Sequence, residues 1–216
     1  MEKRREGRYN DDVTDYEKEI YRLLDENSPR EVFFIPYTDP FRFLVTVILS
    51  CASNDRAAVI SAGKLFSAYP GEKDIVSAPD DEVERLIFSS GLARRKCRTI
   101  KAAAGYFVRN GRPQSRADVL SIPGVGEKTA SCYMQHVFSA PSVTVDIHFE
   151  RVSYRLGFSS SHDRIRTMHE IMELFDSSLW NRLSDTVNLL GRTFCRPKAK
   201  CGECFLKESC RKRGVC

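Results

Sequence analysis

The stretch Leu120-Ser121-Ile122-Pro123-Gly124-Val125-Gly126-Glu127-Lys128-Thr129-Ala130 decides the fold of this chain. Two glycines flank one valine, and glycine adopts positive φ without steric cost, so the stretch predicts a hairpin too tight for side chains at the glycine positions. We expect a short helix over 117–122 before the hairpin and a longer helix over 128–138 after it. The backbone N–H groups and the positive dipole end at the start of the second helix predict a binding site for a phosphate.

Two side chains near the hairpin are candidates for chemistry. Lys128 falls in the first turn of the second helix, where its amine is either a nucleophile or a simple partner for phosphate. Asp146 follows eighteen residues later and either caps a helix that begins at Ile147 or acts as a general base, and these two roles are compatible. His148 is interpreted as a structural histidine.

Apolar residues at helical spacing predict helices through most of the chain. Besides the two at the hairpin, the predicted helices cover about 16–27, 41–50, 55–69, 79–90, 94–110, 147–156, 163–175 and 179–192. The helix over 41–50 is apolar nearly all round and is expected in a core. Only 32–35 and 142–145 could form strands, so the predicted fold class is all-α.

Length and composition limit the class of protein. The 216 residues are 42% hydrophobic, which is enough for one domain or for two small lobes with a shared core. No run of about 18 uncharged apolar residues occurs, so no membrane span is expected. The N-terminus is charged and has no apolar stretch behind it, unlike a secretory signal, so we expect a cytoplasmic protein, nucleoid-associated if prokaryotic.

The positive charge is concentrated in two segments. The net charge is +5, and eight lysines and arginines stand against two glutamates between Arg192 and Arg213. A second basic group opens a helix and comprises Arg94, Arg95, Lys96, Arg98 and Lys101. Either segment alone is also typical of a solvated surface, but the two beside a phosphate-binding hairpin favour a track for nucleic acid.

Four of the eight cysteines form the C-terminal pattern Cys195-x5-Cys201-x2-Cys204-x5-Cys210. Disulfides are not expected, because nothing in the N-terminus directs the chain to an oxidising compartment. Zinc sites usually draw their thiolates from two close pairs, and only Cys201 and Cys204 form such a pair. The wide spacing around that pair favours a four-iron four-sulfur cluster with one thiolate per iron, and structural zinc is the alternative.

The hairpin string and the segment Val145 to Val152 together resemble the helix-hairpin-helix, glycine, proline and aspartate signature of the DNA base-excision glycosylases. Within that superfamily the chain is most similar to the endonuclease III family. The resemblance runs from about Tyr16 to the C-terminus and further includes Leu49-Ser50, Gly91-Leu92, Leu190-Gly191-Arg192 and the four cysteines. The family carries a four-iron four-sulfur cluster at these cysteines, although its usual first gap is longer by one residue than the gap here.

The resemblance implies a two-lobed fold. Residues 33–139 would form a six-helix barrel that contains the helix-hairpin-helix motif at about 116–138. Residues 15–32 and 140–216 would form an iron–sulfur lobe with the cluster loop at 195–210, and residues 1–14 would be a flexible tail. Lys128 would then lie on the barrel and Asp146 on the other lobe, with the active site in the cleft between them.

The resemblance also implies a reaction and a partner. Duplex DNA with a damaged base or an abasic site is the expected partner, and the chain would act as a monomer. After the damaged nucleotide is rotated out of the stack, the Lys128 amine would displace the base at C1′ to form a Schiff base, and elimination of the 3′ phosphate would nick the strand. Asp146 would deprotonate the amine or stabilise the cationic sugar. A lysine at position 128 marks the family members that also cleave the strand, and their substrates are oxidised or ring-saturated pyrimidines.

Several further residues are expected to contact the DNA. The backbone N–H groups of Gly124, Val125 and Gly126 would hold phosphates without reading sequence. The family fills the gap left by the extruded base with a glutamine, but Ala52 stands at that position here. Ser53, Asn54 or Leu92 would contact the DNA at the gap instead. Arg196, Lys198 and Lys200 would contact it from the cluster loop.

Two other functions are consistent with the same sequence. The chain is alternatively a mismatch- or purine-directed glycosylase on this fold, which would release a base without nicking the strand. It is alternatively a non-catalytic helix-hairpin-helix DNA-binding module, in which neither Lys128 nor Asp146 would be needed.

Overall fold

The computed structural model describes residues 13–32, 34–37 and 39–215. Within these ranges all regular secondary structure is helical, which confirms the predicted all-α class, and no strand occurs at 142–145 or at the described residues of 32–35. The helices are α1 (Asp15–Glu26), α2 (Pro40–Ser50), α3 (Asp55–Ala68), α4 (Glu72–Ser77), α5 (Asp80–Ile87), α6 (Ala93–Asn110), α7 (Arg116–Ser121), α8 (Glu127–Phe138), α9 (Ile147–Leu156), α10 (Arg164–Leu174) and α11 (Trp180–Thr193). Short 3-10 turns lie at Phe88–Ser90, Ser177–Leu179 and Cys201–Glu203. None of the helices in this part of the chain is both long and apolar enough to cross a membrane.

The sequence prediction missed α4. The other helices begin and end within about one residue of the predicted positions, once the 3-10 turn after α5 is included. This helix has only 6 residues, too few to display a periodic apolar pattern. It begins after Gly71, whose N–H donates to the Asp74 carboxylate at 3.0 Å. It packs against α6 and buries Ile75 completely, so tertiary contacts stabilise it more than its own sequence pattern does.

The chain divides into two compact units, a terminal unit (Met1–Val32 with Ser139–Cys216) and a middle unit (Phe33–Phe138). Their interpretation as an iron–sulfur lobe and a six-helix barrel stays a prediction. Of the expected flexible tail at 1–14, residues 1–12 lie outside the described residues. Val13 is only 5% exposed and the Thr14 N–H donates to the Glu17 carboxylate in the first turn of α1, so the tail prediction was wrong for these two residues.

Helix α2 forms the core of the middle unit. Asp39 caps it by accepting a hydrogen bond from the Arg42 N–H at 2.9 Å, and Pro40 occupies the first helical position. Most of its residues are buried, in agreement with the apolar pattern. Helices α3, α6 and α8 pack against it, and this packing fixes the elements that carry the hairpin and the first basic segment.

Helices α9 and α11 pack together in the terminal unit, with α1 against α11 and α10 against α9. Gly191 permits the close approach, because a Cβ there would lie 2.9 Å from the His148 Cβ and 3.0 Å from the Val152 Cγ2. The Tyr16 hydroxyl donates to the Leu156 carbonyl at 2.7 Å and joins α1 to the end of α9. The apolar core of this unit includes Leu24, Phe149, Phe175 and Leu183.

Candidate active site and cysteine pocket

The hairpin between α7 and α8 is held from two directions. The Val125 N–H donates to the Ile122 carbonyl at 3.0 Å and closes the turn. Gly124 has a φ of +87°, and a Cβ there would collide with the Thr99 Oγ1 of α6 and lie 3.2 Å from the Thr99 Cβ. Both the backbone conformation and the closeness of α6 therefore require glycine at position 124.

Gly126 differs from Gly124 in both respects. Its φ is not positive, and a Cβ there would meet nothing within 4 Å. The prediction that crowding requires both glycines is therefore wrong for Gly126. The Val125 N–H is engaged within the turn, so the predicted phosphate anchor is reduced to the remaining N–H groups of the hairpin and of the helix start.

Helix α8 presents its first turn directly after Gly126. The Ala130 N–H donates to the Gly126 carbonyl at 3.0 Å, so the N–H groups of residues 127–129 precede the first intrahelical hydrogen bond. Glu127 is paired with Arg116 of α7, which neutralises the acid at the helix start. Lys128 follows it and is half-buried. The hairpin therefore brings a lysine amine to a helix start that attracts anions.

Asp146 caps α9. Its Oδ1 accepts the N–H groups of His148 at 2.8 Å and of Phe149 at 2.9 Å. Its Oδ2 lies 3.7 Å from a guanidinium nitrogen of Arg192, and the side chain is 15% exposed. The capping role is therefore confirmed. It occupies one carboxylate oxygen and holds the other in a fixed position.

A row of polar side chains on α11 holds the extended segment that precedes α9. The Asn181 Oδ1 accepts the Ser142 N–H at 2.8 Å, and the Ser184 hydroxyl accepts the Thr144 N–H at 3.0 Å. One turn farther along, the Asn188 amide donates to the Thr144 carbonyl at 3.3 Å. These positions follow the helical repeat, so one face of α11 takes the place of a partner strand and fixes the segment.

His148 lies in the first turn of α9. Burial lowers the pKa of His148 below its ordinary value of 6.5, and although Asp146 raises it, Arg192 and Arg151 lower it further. A guanidinium nitrogen of Arg151 lies 3.2 Å from its Nδ1. The ring is therefore neutral at neutral pH, in agreement with its interpretation as a structural histidine.

The basic group at the start of α6 is partly internal. Lys96 is only 4% exposed, and its Nζ donates to the Leu49 carbonyl at 2.7 Å and to the Ser90 carbonyl at 2.6 Å. Burial lowers the pKa of Lys96 below its ordinary value. Lys101 pairs with Asp80. The prediction that this whole group faces a nucleic acid is therefore wrong for Lys96. The members that are exposed are Arg94, Arg95 and Arg98.

The residues expected to fill a gap in the duplex differ in availability. Leu92 is 57% exposed and has a φ of +52°. Asn54 instead caps α3, because its Oδ1 accepts the Ala57 N–H at 2.8 Å. Ser53 is half-buried in a turn in which its N–H donates to the Ser50 carbonyl at 3.1 Å. The structure therefore favours Leu92 over Asn54 for a contact with DNA.

The four C-terminal cysteines line one pocket. The residues that line it include Cys195, Cys201, Cys204, Cys210, Leu190, Phe194 and Leu206. All four thiols are half-buried and free of disulfide bonds. Burial raises the pKa of the Cys204 and Cys210 thiols, and the charge of neighbouring thiolates raises it further, against the effect of nearby backbone N–H groups. The four cysteines therefore share one site.

N–H groups point at the sulfur atoms of this pocket. The Arg155 guanidinium donates to the Cys195 sulfur at 3.5 Å, and the Lys212 N–H donates to the Cys210 sulfur at 3.3 Å. In residues 13–32, 34–37 and 39–215, no group of three or more His, Cys, Asp or Glu side chains is arranged to hold a single metal ion. The N–H donors suit thiolate ligands, so the donor set fits a group that binds four thiolates.

Arg155 fixes the loop 196–200, because its guanidinium donates to the Arg196 carbonyl at 2.6 Å and to the Pro197 carbonyl at 3.2 Å. Arg196 and Lys198 are exposed on this loop. Lys200 is also exposed, but its amine lies 3.2 Å from the Glu203 carboxylate. The loop therefore presents Arg196 and Lys198 to solvent on a backbone that is held in place.

Known proteins are similar to this chain in sequence and in fold. Residues 45–177, which contain the hairpin, Lys128 and Asp146, match the family described as HhH-GPD superfamily base excision DNA repair protein. Endonuclease III of Thermotoga maritima is 34% identical over 204 residues, which cover 91% of this chain and 94% of that protein. A solved structure of a trapped endonuclease III–DNA covalent intermediate superposes with a TM-score of 0.84 at 28% identity, over 93% of this chain and 97% of that one.

A thermostable thymine-DNA glycosylase shares the fold, with a TM-score of 0.72 at 23% identity over 90% of this chain and 95% of that chain. The sequence match to endonuclease III is higher and extends over nearly the whole chain. The chain therefore belongs to the HhH-GPD superfamily of base excision DNA repair proteins, and within it to the endonuclease III family of DNA glycosylases.

Proposed function

We propose that this protein is a bifunctional DNA glycosylase and lyase that removes oxidised or ring-saturated pyrimidines from duplex DNA. The observation that carries the proposal is the half-buried Lys128 in the first turn of α8, directly after a hairpin whose second glycine faces open space. A lysine at this place can form a Schiff base with a sugar, which a glycosylase that only activates water does not need.

The start of α8 supports binding of a DNA phosphate. The N–H groups of residues 127–129 precede the first intrahelical bond, and the positive end of the helix dipole favours an anion there. A phosphate can approach the backbone at Gly126, because nothing lies within 4 Å of the Cβ position. This contact positions the strand and does not read its base sequence.

Lys128 supplies the nucleophile. The lone pair of its Nζ forms a bond to C1′ of the extruded nucleotide while the bond from C1′ to the base breaks, and the base leaves with a proton. The sugar ring opens to a Schiff base on the lysine. Loss of a proton from C2′ and cleavage of the bond to the 3′ oxygen then release the 3′ phosphate, so that the strand is nicked.

Asp146 assists this reaction through its Oδ2. Its Oδ1 is occupied by the two N–H groups of α9, which hold the carboxylate rigidly. The other oxygen, which lies 3.7 Å from a guanidinium nitrogen of Arg192, accepts a proton from the amine or stabilises the positive charge that develops on the sugar as the base departs. The cap therefore serves the chemistry, because it orients the catalytic oxygen.

Borohydride trapping on a duplex with one abasic site tests the role of Lys128. The wild-type protein should form a covalent adduct, and Lys128→Ala should form none. Lys64→Ala, which removes an exposed lysine of α3, is the matched control and should trap like the wild type. An adduct that persists in Lys128→Ala would assign the nucleophile to another group. No adduct with the wild type, on abasic or oxidised-pyrimidine duplexes, would refute the lyase activity.

Asp146→Asn separates the chemistry from the cap. Asparagine keeps an oxygen that accepts both N–H groups, so the melting temperature should stay within about 2 °C of the wild-type value. The single-turnover rate of base release should fall about 100-fold or more, as expected for loss of a general base. An unchanged rate would remove Asp146 from the mechanism.

We further propose that the cysteine pocket holds a four-iron four-sulfur cluster. One thiolate per iron fits four cysteines around a single close pair, and a bound cluster supplies a rigid crosslink between the ends of the loop 196–200. Arg155 orients the same loop, so that Arg196 and Lys198 meet the DNA backbone. Analysis of the purified protein should find about four irons and four acid-labile sulfides per chain. One zinc without sulfide would instead favour the structural zinc alternative.

Duplex DNA with a damaged base or an abasic site is the proposed partner. We expect the protein to bind it as a monomer, in the cytoplasm and, if the source is prokaryotic, at the nucleoid. Light scattering of the complex checks the stoichiometry. Base release from G·T, G·U or A·8-oxoguanine duplexes without strand cleavage would favour the mismatch- or purine-directed alternative. DNA binding that is indifferent to both Lys128→Ala and Asp146→Asn, with no base release, would favour a binding module.

A further inference from the structure

The turn between α5 and α6 exposes two large apolar side chains. Phe88 is 77% exposed and Leu92 is 57% exposed, the two highest values among the large hydrophobic residues of the described ranges. They stand at the two ends of the segment 88–92, which contains the 3-10 turn Phe88–Ser90. Large apolar side chains grouped on a surface mark a contact site more often than a single exposed one does.

The backbone beneath these side chains is firmly held. The Gly91 N–H donates to the Phe88 carbonyl at 3.0 Å and closes the turn. The Ser89 hydroxyl lies 2.9 Å from the Ser61 hydroxyl of α3, and the Lys96 amine donates to the Ser90 carbonyl at 2.6 Å. The exposure of the two apolar side chains is therefore a property of a fixed turn and not of a loose loop.

Lys96 also couples this turn to the last turn of α2. Its buried amine donates to the Leu49 carbonyl at 2.7 Å. Helix α2 ends at Ser50, and Ala52, two residues farther along, has a φ of +51°, close to the +52° of Leu92. Such a conformation is unfavourable for residues other than glycine, and one amine holds the backbone within three residues of both strained positions. Ala52 offers only a methyl group, so the aromatic ring of Phe88 has the longest reach of these side chains.

The chain directly after the turn is cationic. Arg94, Arg95 and Arg98 are exposed in the first turns of α6, directly after Leu92. An apolar pair bordered by guanidinium groups matches bases flanked by phosphates, because bases offer flat apolar faces and phosphates are the nearest anions. Charge complementarity therefore favours DNA as the occupant of this surface.

We propose that Phe88 stacks on a base that is left without its partner when the damaged nucleotide is extruded, with Leu92 filling the space beside it. An aromatic ring stacks on any base, so the contact stabilises the opened duplex without reading its sequence. Lys96 positions both segments and does not itself contact the DNA, since it is buried. The inference rests on the proposed function, because it requires a nucleotide to leave the stack.

Binding to a duplex that contains a stable tetrahydrofuran abasic analogue tests the inference. Phe88→Ala should weaken this binding about tenfold or more, which corresponds to the loss of one stack between a base and an aromatic ring. Phe88→Trp should restore it, since indole also stacks. Binding to an undamaged duplex should change by less than about twofold, because that duplex offers no unpaired base.

Val108→Ala is the matched control. Val108 is 45% exposed near the far end of α6, the helix that follows Leu92, roughly 24 Å from Leu92 along the helix axis at about 1.5 Å per residue. It should bind both duplexes like the wild type. Because Phe88 is exposed, Phe88→Ala should also melt at the wild-type temperature, which separates a lost contact from a lost fold.

Equal binding of the wild type and Phe88→Ala would overturn the inference, and so would an equal loss on damaged and undamaged duplexes. Self-association that disappears in Phe88→Ala, with DNA binding unchanged, would assign the turn to a protein contact instead. Borohydride trapping on the ring-opened abasic site distinguishes the two proposals. If the wild type forms the covalent adduct and Phe88→Ala binds the tetrahydrofuran duplex as the wild type does, the lyase activity is supported and the role of Phe88 is refuted. If the wild type forms no adduct, the lyase activity itself is refuted.

Discussion

Replacing Gly124 by alanine should destabilise the protein through two separable effects. A φ of +87° costs an alanine about 1 kcal/mol. The new methyl group would also collide with the Thr99 hydroxyl and lie 3.2 Å from its Cβ, and overpacking of this kind costs roughly 1–3 kcal/mol. The expected loss is about 2–4 kcal/mol in the free energy of unfolding, measured by urea denaturation.

Thr99→Ala divides these two effects. On its own it removes a hydroxyl that donates to the Arg95 carbonyl at 3.3 Å, which should cost about 1 kcal/mol. In the double variant with Gly124→Ala, the backbone strain remains but most of the collision is gone. The loss in the double variant should therefore be smaller than the combined single losses by about 1–2 kcal/mol. Strictly additive losses would refute the collision as a cause.

Gly126→Ala is the matched control, because its φ is ordinary and the Cβ position is open. It should change the free energy of unfolding by less than about 0.5 kcal/mol. A loss as large as that of Gly124→Ala would show that the reasoning from φ and contact distance is wrong. The same variant should weaken binding to an abasic duplex, since its methyl group stands where a phosphate would approach the backbone.

Three further changes test the packing and the polar contacts. Gly191→Ala should lower the free energy of unfolding by roughly 1–3 kcal/mol, measured by calorimetry, because its methyl group would press on His148 and Val152. An unchanged free energy of unfolding would mean that α9 and α11 can separate freely. Lys96→Met should cost about 2–4 kcal/mol, because two buried carbonyls lose their donor. Burial lowers the pKa of Lys96 in the folded state below its ordinary 10.5, so the unfolded chain holds this proton more tightly. The wild type should therefore gain stability relative to Lys96→Met as pH rises through the lowered pKa toward 10.5. A difference in the free energy of unfolding that falls over this pH range, measured by urea denaturation, would contradict this. Asp146→Ala should lose about 1 kcal/mol with the cap and melt about 2–4 °C lower, whereas a drop of the same size in Asp146→Asn would mean that the carboxylate charge stabilises the fold.

The sequence was sufficient to predict the features that depend on residues within one helical turn of each other. Asp39 and Pro40 predicted the start of α2, because a side-chain cap and a fixed φ act within one turn. Asp146 was expected to cap α9, and it does so with two hydrogen bonds. The order of the motifs then led to the endonuclease III family, which the comparisons confirm.

Features that depend on tertiary contacts could not be predicted from the pattern. Gly124 and Gly126 look alike in the sequence, but only Gly124 meets another helix. Lys96 looks like one cation in a basic run, but its amine is buried because two carbonyls from separate segments meet there. The exposure of Phe88 was likewise hidden, since an apolar residue in a short turn has no periodic pattern that tells the inside from the outside.

The row of polar side chains on α11 makes the position of Asp146 sensitive to insertions and deletions far from it in the sequence. The first contact of the row already joins residues 39 positions apart. One residue inserted between Asn181 and Asn188 would turn every later side chain by about 100° around the helix axis and detach the Thr144 carbonyl from its donor. Homologous chains are therefore expected to vary in the length of their surface loops while the interval between these two asparagine positions keeps a constant length.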